Sequence, residues 1–130
     1  MAKKKKVYIQ LISLWLPVLI QMSLIFYFSS QPAGSPALER FPTPPGIGHL
    51  VGYAMLTFFL YRAFNRGALS WNISAAKCSF AVSVLYAVSD EVHQIFVPGR
   101  NASIVDVGID AAGTLLVIFI LKAVNLQKHN

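Results

Sequence analysis

Two carboxylates and a histidine lie close together in this chain, in a pattern suited to acid–base chemistry. Asp90 and His93 are three residues apart, so they share one face of a helix, and Glu91 flanks that face. A carboxylate beside an imidazole can orient it and favour its charged form, as in many proton-transfer sites. The spacing therefore fits either an acid–base pair or a structural hydrogen bond between helices.

A second acidic pair follows at Asp106 and Asp110, which share one helix side with Ser103, a residue suited to N-capping. A carboxylate in a first turn gains from the helix dipole, and this accounts for Asp106. Asp110 lies one turn deeper, where capping does not explain it. If the chain is an enzyme, we expect its catalytic residues to be Asp90, Glu91, His93 and Asp106.

Arg100 stands between these two groups. Its fork of donors could clamp a phosphate, and it could equally form a salt bridge with Asp106 or Glu91. The residues that we expect to bind a ligand are Gln31, His49, Tyr53, Gln94, Arg100, Ser103 and Asp110.

Metal binding is the alternative for part of this set. The residue types of His49, His93, Glu91, Asp106 and Asp110 suit zinc or a harder cation. However, no compact ligand spacing such as His-Glu-x-x-His is present. We therefore predict neither a metal site nor a cofactor, and keep a bound metal ion as the less favoured possibility.

The composition indicates which elements must position these residues. The chain has 130 residues, of which 55% are hydrophobic and 12% charged. Soluble domains have about 25% charged residues, so this chain lacks the charges to solvate its own surface. Its net charge of +6 comes from Lys and Arg that flank apolar runs, which disfavours nucleic-acid binding. The sequence predicts a single all-α membrane domain.

Four transmembrane helices are expected, at about residues 7–28, 47–64, 73–96 and 103–124. Residues 29–48 are rich in Pro and Gly and predict a loop without regular helix. Residues 65–72 predict a short polar hairpin, and residues 97–101 a tight turn centred on Pro98 and Gly99.

The Lys and Arg distribution predicts the orientation. Of the 11 basic residues, nine lie on the side of the N-terminus and two, Arg40 and Arg100, on the other. The positive-inside rule then makes both termini cytoplasmic. The nine are Lys3, Lys4, Lys5, Lys6, Arg62, Arg66, Lys77, Lys122 and Lys128.

Several motifs together resemble the VanZ-like family of small bacterial membrane proteins. They are Ser-Asp-Glu-Val-His-Gln at 89–94, Val-Pro-Gly-Arg at 97–100, Ser103-x-x-Asp106-x-x-x-Asp110-x-x-Gly113, Ser-Ser-Gln at 29–31 and His49-x-x-x-Tyr53. The resemblance implies a multi-pass protein of the bacterial cytoplasmic membrane with a role in the cell envelope, and a possible link to resistance against the glycopeptide teicoplanin. It implies no particular reaction.

Three functions are compatible with these features. The first is an outward-facing polar pocket that binds an anionic lipid-linked or cell-envelope molecule, with membrane lipid as a partner. The second is a membrane hydrolase or transferase acting on lipids or lipid-linked envelope precursors, with His93 as acid or base. The third is transport. The sequence disfavours it because the polar stripe of the third span does not continue as charges to the inner side. This stripe consists of Ser79, Ser83, Tyr86, Asp90, His93 and Gln94.

Overall fold

The computed structural model describes residues 2–40, 44 and 46–127, and within these the protein is entirely helical. Four long helices coincide with the four predicted ones, and a fifth, short helix lies between the first two. The helices are α1 (Ala2–Ser29), α2 (Pro36–Glu39), α3 (Ile47–Phe64), α4 (Ile73–Gln94) and α5 (Ile104–Gln127). Pro42, Pro45 and Lys128, which entered the predictions above, lie outside the described residues, as does the side chain of Lys3.

The short helix α2 corrects the prediction that residues 29–48 contain no regular helix. It begins with Pro36 in its first position and has Ser35 as its N-cap residue. A proline in the first turn removes a backbone donor that has no intrahelical partner there in any case. The density of prolines limits the length of this helix but does not prevent one turn from forming.

Helix α3 lies at the centre of the bundle and packs against α1, α4 and α5. Four of its buried side chains form an apolar cluster with Leu14 and Val18 of α1 and Ala87 of α4, while Tyr61 belongs to a second cluster with Leu121 of α5. The closest approach is between α3 and α5, where a Cβ added to Gly113 would lie 2.3 Å from the backbone oxygen of Leu50. Only glycine fits at this crossing, so Gly113 fixes how closely the two helices pack.

Small hydroxyl groups join three helices in the middle of the bundle. Thr57 Oγ1 lies 2.9 Å from Ser83 Oγ and 3.1 Å from Thr114 Oγ1, and it also bonds the Tyr53 carbonyl at 2.7 Å. Such bonds stabilise helix association in a bilayer, where apolar contacts alone distinguish little between protein and lipid.

The end of the bundle that contains residues 65–72 is held together by satisfied polar groups. Asn125 accepts from the Trp71 amide and donates to the carbonyls of Leu69 and Leu121. Tyr61 donates to the Ser70 carbonyl and accepts from the Asn72 amide. The predicted hairpin is therefore a loop fixed to the helices on either side.

The outer surface of the bundle is apolar, as expected for contact with lipid. Helices α1, α3 and α5 are long and apolar enough to cross a membrane. Helix α4 has 22 residues but is not among these three, since Lys77, Asp90 and Glu91 and a buried polar face reduce its mean hydropathy. Leu85 and Val88 of α4, and Ile95 directly after it, are nevertheless exposed, as apolar residues in contact with lipid would be.

In α1, the polar residues Gln10, Ser13 and Gln21 share one helix face by their spacing, but this face is only partly buried. Gln21 is buried and donates to the Gly52 carbonyl at 3.0 Å, but Gln10 and Ser13 are exposed. The buried side of α1 instead carries Leu14 and Val18. In lipid, an apolar residue suits either the protein or the membrane, so hydropathy alone does not determine which face packs.

Candidate functional site

The polar residues singled out from the sequence meet at one end of the bundle, which we call the polar end. It is formed by the last turns of α1 and α4, the first turns of α3 and α5, and the two loops that join them (residues 30–40 and 95–103). The two loops touch, because the Ala33 amide donates to the Pro98 carbonyl at 3.4 Å. The predicted Pro98–Gly99 turn is present, with a bond from the Arg100 amide to the Val97 carbonyl and Gly99 at φ +73°.

Helix α4 buries most of its predicted polar stripe against the other helices. Asp90 and Glu91 are each 4% exposed and Gln94 is 3% exposed. Gln94 donates to Asp90 Oδ2 over a long 3.5 Å, and the Ser29 hydroxyl is close enough to act on this carboxylate, although Asp90 Oδ1 has no partner at hydrogen-bond distance within the described residues.

Glu91 joins the end of α4 to the start of α5. Its Oε2 accepts from the Ser103 amide at 2.7 Å, while Ser103 Oγ accepts from the Asp106 amide at 3.3 Å. The second contact is the N-cap predicted for Ser103. Glu91 thus faces α5, and Ser103 and Asp106 are both half-buried beside it.

His49 and Asp110 form a hydrogen-bonded pair between α3 and α5, which is an ion pair when the imidazole is protonated. His49 Nδ1 lies 3.2 Å from Asp110 Oδ1, and it is the single carboxylate contact of this kind in the described part of the chain. Asp110 is 1% exposed, so its charge has almost no access to solvent. The close α3–α5 crossing at Gly113 lies one helical turn from Asp110, which brings these two side chains together.

His93 does not contact Asp90, although the two share a helix face. Its Nε2 lies 3.0 Å from Ser30 Oγ, and its ring stacks on Phe26 with a centroid distance of 4.7 Å. The proposed Asp90–His93 pair is therefore not formed as a hydrogen bond here. Ser30, absent from the predicted set of site residues, is the direct partner of His93.

Arg100 forms neither of the two salt bridges considered above. Its Nη2 donates to the Phe28 carbonyl at 3.3 Å, and its buried Nε has no partner. No carboxylate of the described residues lies within ion-pairing distance, so bridges to Asp106 and Glu91 are both missing. A charged donor thus remains available at the edge of the polar end.

Two further predicted ligand-binding residues, Tyr53 and Gln31, differ in burial and in hydrogen bonding. Tyr53 is 1% exposed, and its hydroxyl has no hydrogen-bond partner. Gln31 is half-buried just after α1 and donates to the Tyr27 carbonyl of that helix at 3.0 Å, so its amide forms a local bond.

Buried polar atoms without a partner are concentrated at the polar end. Such atoms are rare in proteins, because each costs about 1–3 kcal/mol of desolvation. In the described residues they are Ser29 Oγ, Ser35 Oγ, Tyr53 OH, Asp90 Oδ1, Glu91 Oε1, Arg100 Nε and Asp110 Oδ2.

Two shallow clefts border the polar end. One of about 210 Å³ lies between α4 and α5 and reaches Glu91 and Ser103, with apolar walls that include Val88, Val92 and Ile104. The other, of about 320 Å³, is lined by Tyr27, Phe28 and Arg40 among others. Each combines apolar walls with at least one charged side chain.

The fold and the polar end together define an α-helical membrane protein with a buried ionisable cluster at one end. Comparison with protein families identifies it further: residues 14–125 match the VanZ/LLP1 family, and the chain belongs to that family. Neither a curated protein nor a solved structure matches the chain significantly.

Proposed function

We propose that the polar end binds the anionic group of a lipid-linked or cell-envelope molecule at the outer face of the bacterial cytoplasmic membrane. The observation that carries this proposal is the concentration of unpartnered buried polar atoms at one end of the bundle. A bound molecule that hydrogen-bonds several of them would remove a desolvation cost of about 1–3 kcal/mol for each.

The chemistry of these atoms suits a ligand with both an anionic group and hydroxyl groups. Arg100 Nε and the Tyr53 hydroxyl are donors that can bind an anion. Asp90 Oδ1, Glu91 Oε1 and Asp110 Oδ2 are acceptors when ionised, and sugar or glycerol hydroxyls would donate to them.

The apolar cleft beside Glu91 supports a ligand with a lipid portion. It opens on the lipid-facing side of α4, where Val88 and Val92 are exposed. An acyl or prenyl chain in this cleft would hold the polar group of the same molecule next to the cluster, raising its effective concentration there.

A four-span topology with cytoplasmic termini is part of the proposal. Helix α4 follows α3 after a short loop and packs on α1, α3 and α5. Its 22 residues extend for about 33 Å at 1.5 Å per residue, enough to cross a hydrocarbon core of about 30 Å. The excess of Lys and Arg near the termini and residues 62–77 then favours an outward-facing polar end.

The test compares two arginines that each bond one backbone carbonyl of α1. Arg100 bonds Phe28 at the polar end, and Arg62 bonds Ser13 at the other end. Purified protein would be titrated with phosphatidylglycerol, a polyprenyl phosphate and neutral phosphatidylcholine, with bound lipid counted by native mass spectrometry.

We expect Arg100→Gln to weaken binding of the anionic lipids by about tenfold or more, since a hydrogen bond to a charged group contributes about 1.5–3 kcal/mol. Arg62→Gln should bind them like the unchanged protein. Equal affinity of both variants, or no preference for anionic over neutral lipid, would contradict the proposal.

The cell-envelope aspect has its own test. Single replacement of Arg100, Asp90 or Asp106 at matched protein levels should change susceptibility of cells to teicoplanin. Unchanged susceptibility in all three would separate the lipid-binding activity from this phenotype.

A second candidate function, a lipid hydrolase or transferase, is favoured by one contact, that of His93 Nε2 with Ser30 Oγ at 3.0 Å. A histidine this close could take the hydroxyl proton of a nucleophilic serine. It ranks second because no carboxylate of the described residues bonds His93, and because Ser30 Oγ already donates to the Phe26 carbonyl at 2.6 Å.

Ser23 offers a matched control for this candidate, because its hydroxyl also donates to a carbonyl four residues earlier in α1. An enzyme would release a new lipid product, detectable by mass spectrometry, whose formation is lost in Ser30→Ala and His93→Gln but retained in Ser23→Ala. Product formation that persists in both site variants would rule out this pair as the catalytic residues.

A further inference from the structure

His49, Glu91 and Asp110 come from three different helices, and the fold brings them together. One ligand-type atom of each lies within 4.8 Å of the other two. They are far apart in the sequence, with 61 positions between His49 and Asp110, so no short motif indicates the group. Imidazole and carboxylate groups are both metal ligands, and a set of three protein ligands leaves coordination positions open.

The unpartnered oxygens provide an independent sign that something binds between these residues. Glu91 and Asp110 are 4% and 1% exposed, yet Glu91 Oε1 and Asp110 Oδ2 have no hydrogen-bond partner. Asp90 is likewise 4% exposed, and its Oδ1 also has no hydrogen-bond partner. Several ionised carboxylates buried near one another are stabilised by a compensating positive charge, because each ion carries a desolvation penalty of several kcal/mol.

The protein supplies little of that charge. His49 is the one basic group of the described residues that pairs with a carboxylate, and the charges of Asp110, Asp106 and Glu91 all act on it. Arg100, the nearest candidate by sequence, bonds the Phe28 carbonyl instead.

From these observations we propose that His49, Glu91 and Asp110 bind one divalent transition-metal ion, of the chemical class of zinc or manganese. The imidazole favours such an ion over magnesium or calcium, which prefer oxygen ligands alone. The separation of His49 Nδ1 and Asp110 Oδ1, 3.2 Å, fits two neighbouring ligands of one ion. Ligands about 2.1 Å from a metal lie roughly 3.0–3.4 Å apart at octahedral or tetrahedral angles.

Such an ion would also explain how an acidic cluster binds an anion. With three protein ligands, the ion keeps positions at which a phosphate or carboxylate oxygen of the bound molecule can coordinate. This bridging role rests on the proposed function, whereas the metal site itself does not.

The experiment measures binding of zinc chloride, manganese chloride and magnesium chloride to tag-free, delipidated protein in detergent, by equilibrium dialysis with elemental analysis. One equivalent of zinc or manganese should bind, in preference to magnesium. Glu91→Gln, Asp110→Asn and His49→Gln should each weaken that binding by about tenfold or more, as loss of a ligand costs at least what loss of its supporting contacts does.

Glu39→Gln is the control, since Glu39 is an exposed carboxylate of α2 at the polar end and is not one of the three grouped residues. It should alter zinc affinity much less than the ligand variants. An equal loss in Glu39→Gln would show attraction to acidic charge in general and overturn the proposal. So would the absence of zinc and manganese binding, or binding that all three correctly folded ligand variants retain.

The lipid titration described above, repeated with zinc and with a chelator, separates the two proposals. Zinc binding without retention of anionic lipid supports the metal site and contradicts the proposed function. Lipid binding that is identical with zinc and chelator contradicts the bridging role.

Discussion

At the scale of single residues, the two histidines of the polar end have surroundings that their sequence neighbours do not predict, since only His93 lies near carboxylates in the sequence. His49 pairs with Asp110, while His93 contacts Ser30 and Phe26. The sequence placed Asp90 and His93 on one face correctly, but a shared face does not create a contact, because both side chains point away from their own helix. Which residue each one meets depends on the rotation and distance of the neighbouring helices, which spacing within one helix does not determine.

Asp110 provides a prediction for stability, measured on metal-free protein without added lipid. Asp110→Asn removes a buried carboxylate that has one unpartnered oxygen, and His49, which is 22% exposed, can be neutral while its Nδ1–H still donates to the amide oxygen. We therefore expect stabilisation by roughly 1 kcal/mol or more, a rise of several degrees in melting temperature. Intrinsic fluorescence of the two tryptophans during heating would report it.

The reverse substitution, of an asparagine by an aspartate, should lower the stability when it is made at the other end of the bundle. Asn125 donates to the carbonyls of Leu69 and Leu121, so Asn125→Asp would bring a carboxylate against two carbonyl oxygens and lower stability by about 1–3 kcal/mol or more. A fall in melting temperature for both variants would mean that the Asp110 charge is already compensated by the protein itself.

At the scale of helices, the contact of Gly113 with Leu50 determines the geometry of the polar end. His49 precedes Leu50 on α3, and Asp110 lies one turn before Gly113 on α5. Anything that separates the two helices at this crossing therefore also separates the His49–Asp110 pair.

Gly113→Ala tests this coupling. A Cβ at 2.3 Å from the Leu50 backbone oxygen forces the helices apart, and we expect a loss of about 1–3 kcal/mol in stability together with weaker zinc binding.

Gly108→Ala is the control on the same helix. A Cβ there meets nothing within 4 Å, and alanine is a better helix former by about 0.5–1 kcal/mol, so stability should be unchanged or slightly higher. Equal behaviour of the two variants would refute the role given to the crossing.

The bounds of the long helices could be predicted because bilayer length, apolar runs and polar or proline-rich interruptions all coincide in this sequence. The buried side of α4 could be predicted too, since small polar residues recur every three to four positions and have no favourable place in lipid. The packing face of α1 could not, because Leu14 and Val18 are as compatible with lipid as with protein. The sequence grouped His49, Glu91 and Asp110 with His93 and Asp106 as possible metal ligands, but it could not tell which of the five meet, since that depends on how three helices cross.

At the scale of the whole molecule, topology is the prediction that remains to be measured. Cys78→Ser removes the one cysteine of the chain, and Ala68→Cys or Asn101→Cys then introduces a single thiol in an exposed loop position at either end of α4. A membrane-impermeant maleimide should label Asn101→Cys in intact cells, and Ala68→Cys only after the membrane is opened. Labelling of both positions in intact cells would mean that α4 does not cross the bilayer, and the reverse pattern would invert the orientation.

The two ends of the bundle are hydrogen-bonded to very different extents. Asn125 and Tyr61 fasten the loop at residues 65–72 through several bonds, while buried groups at the opposite end stay unsatisfied. Thermal opening should therefore begin at the polar end, where α4 and α5 carry their carboxylates, while the loop at residues 65–72 stays fixed. A molecule from the membrane could enter by transient splaying of those helix ends, without any rearrangement of the chain near its termini.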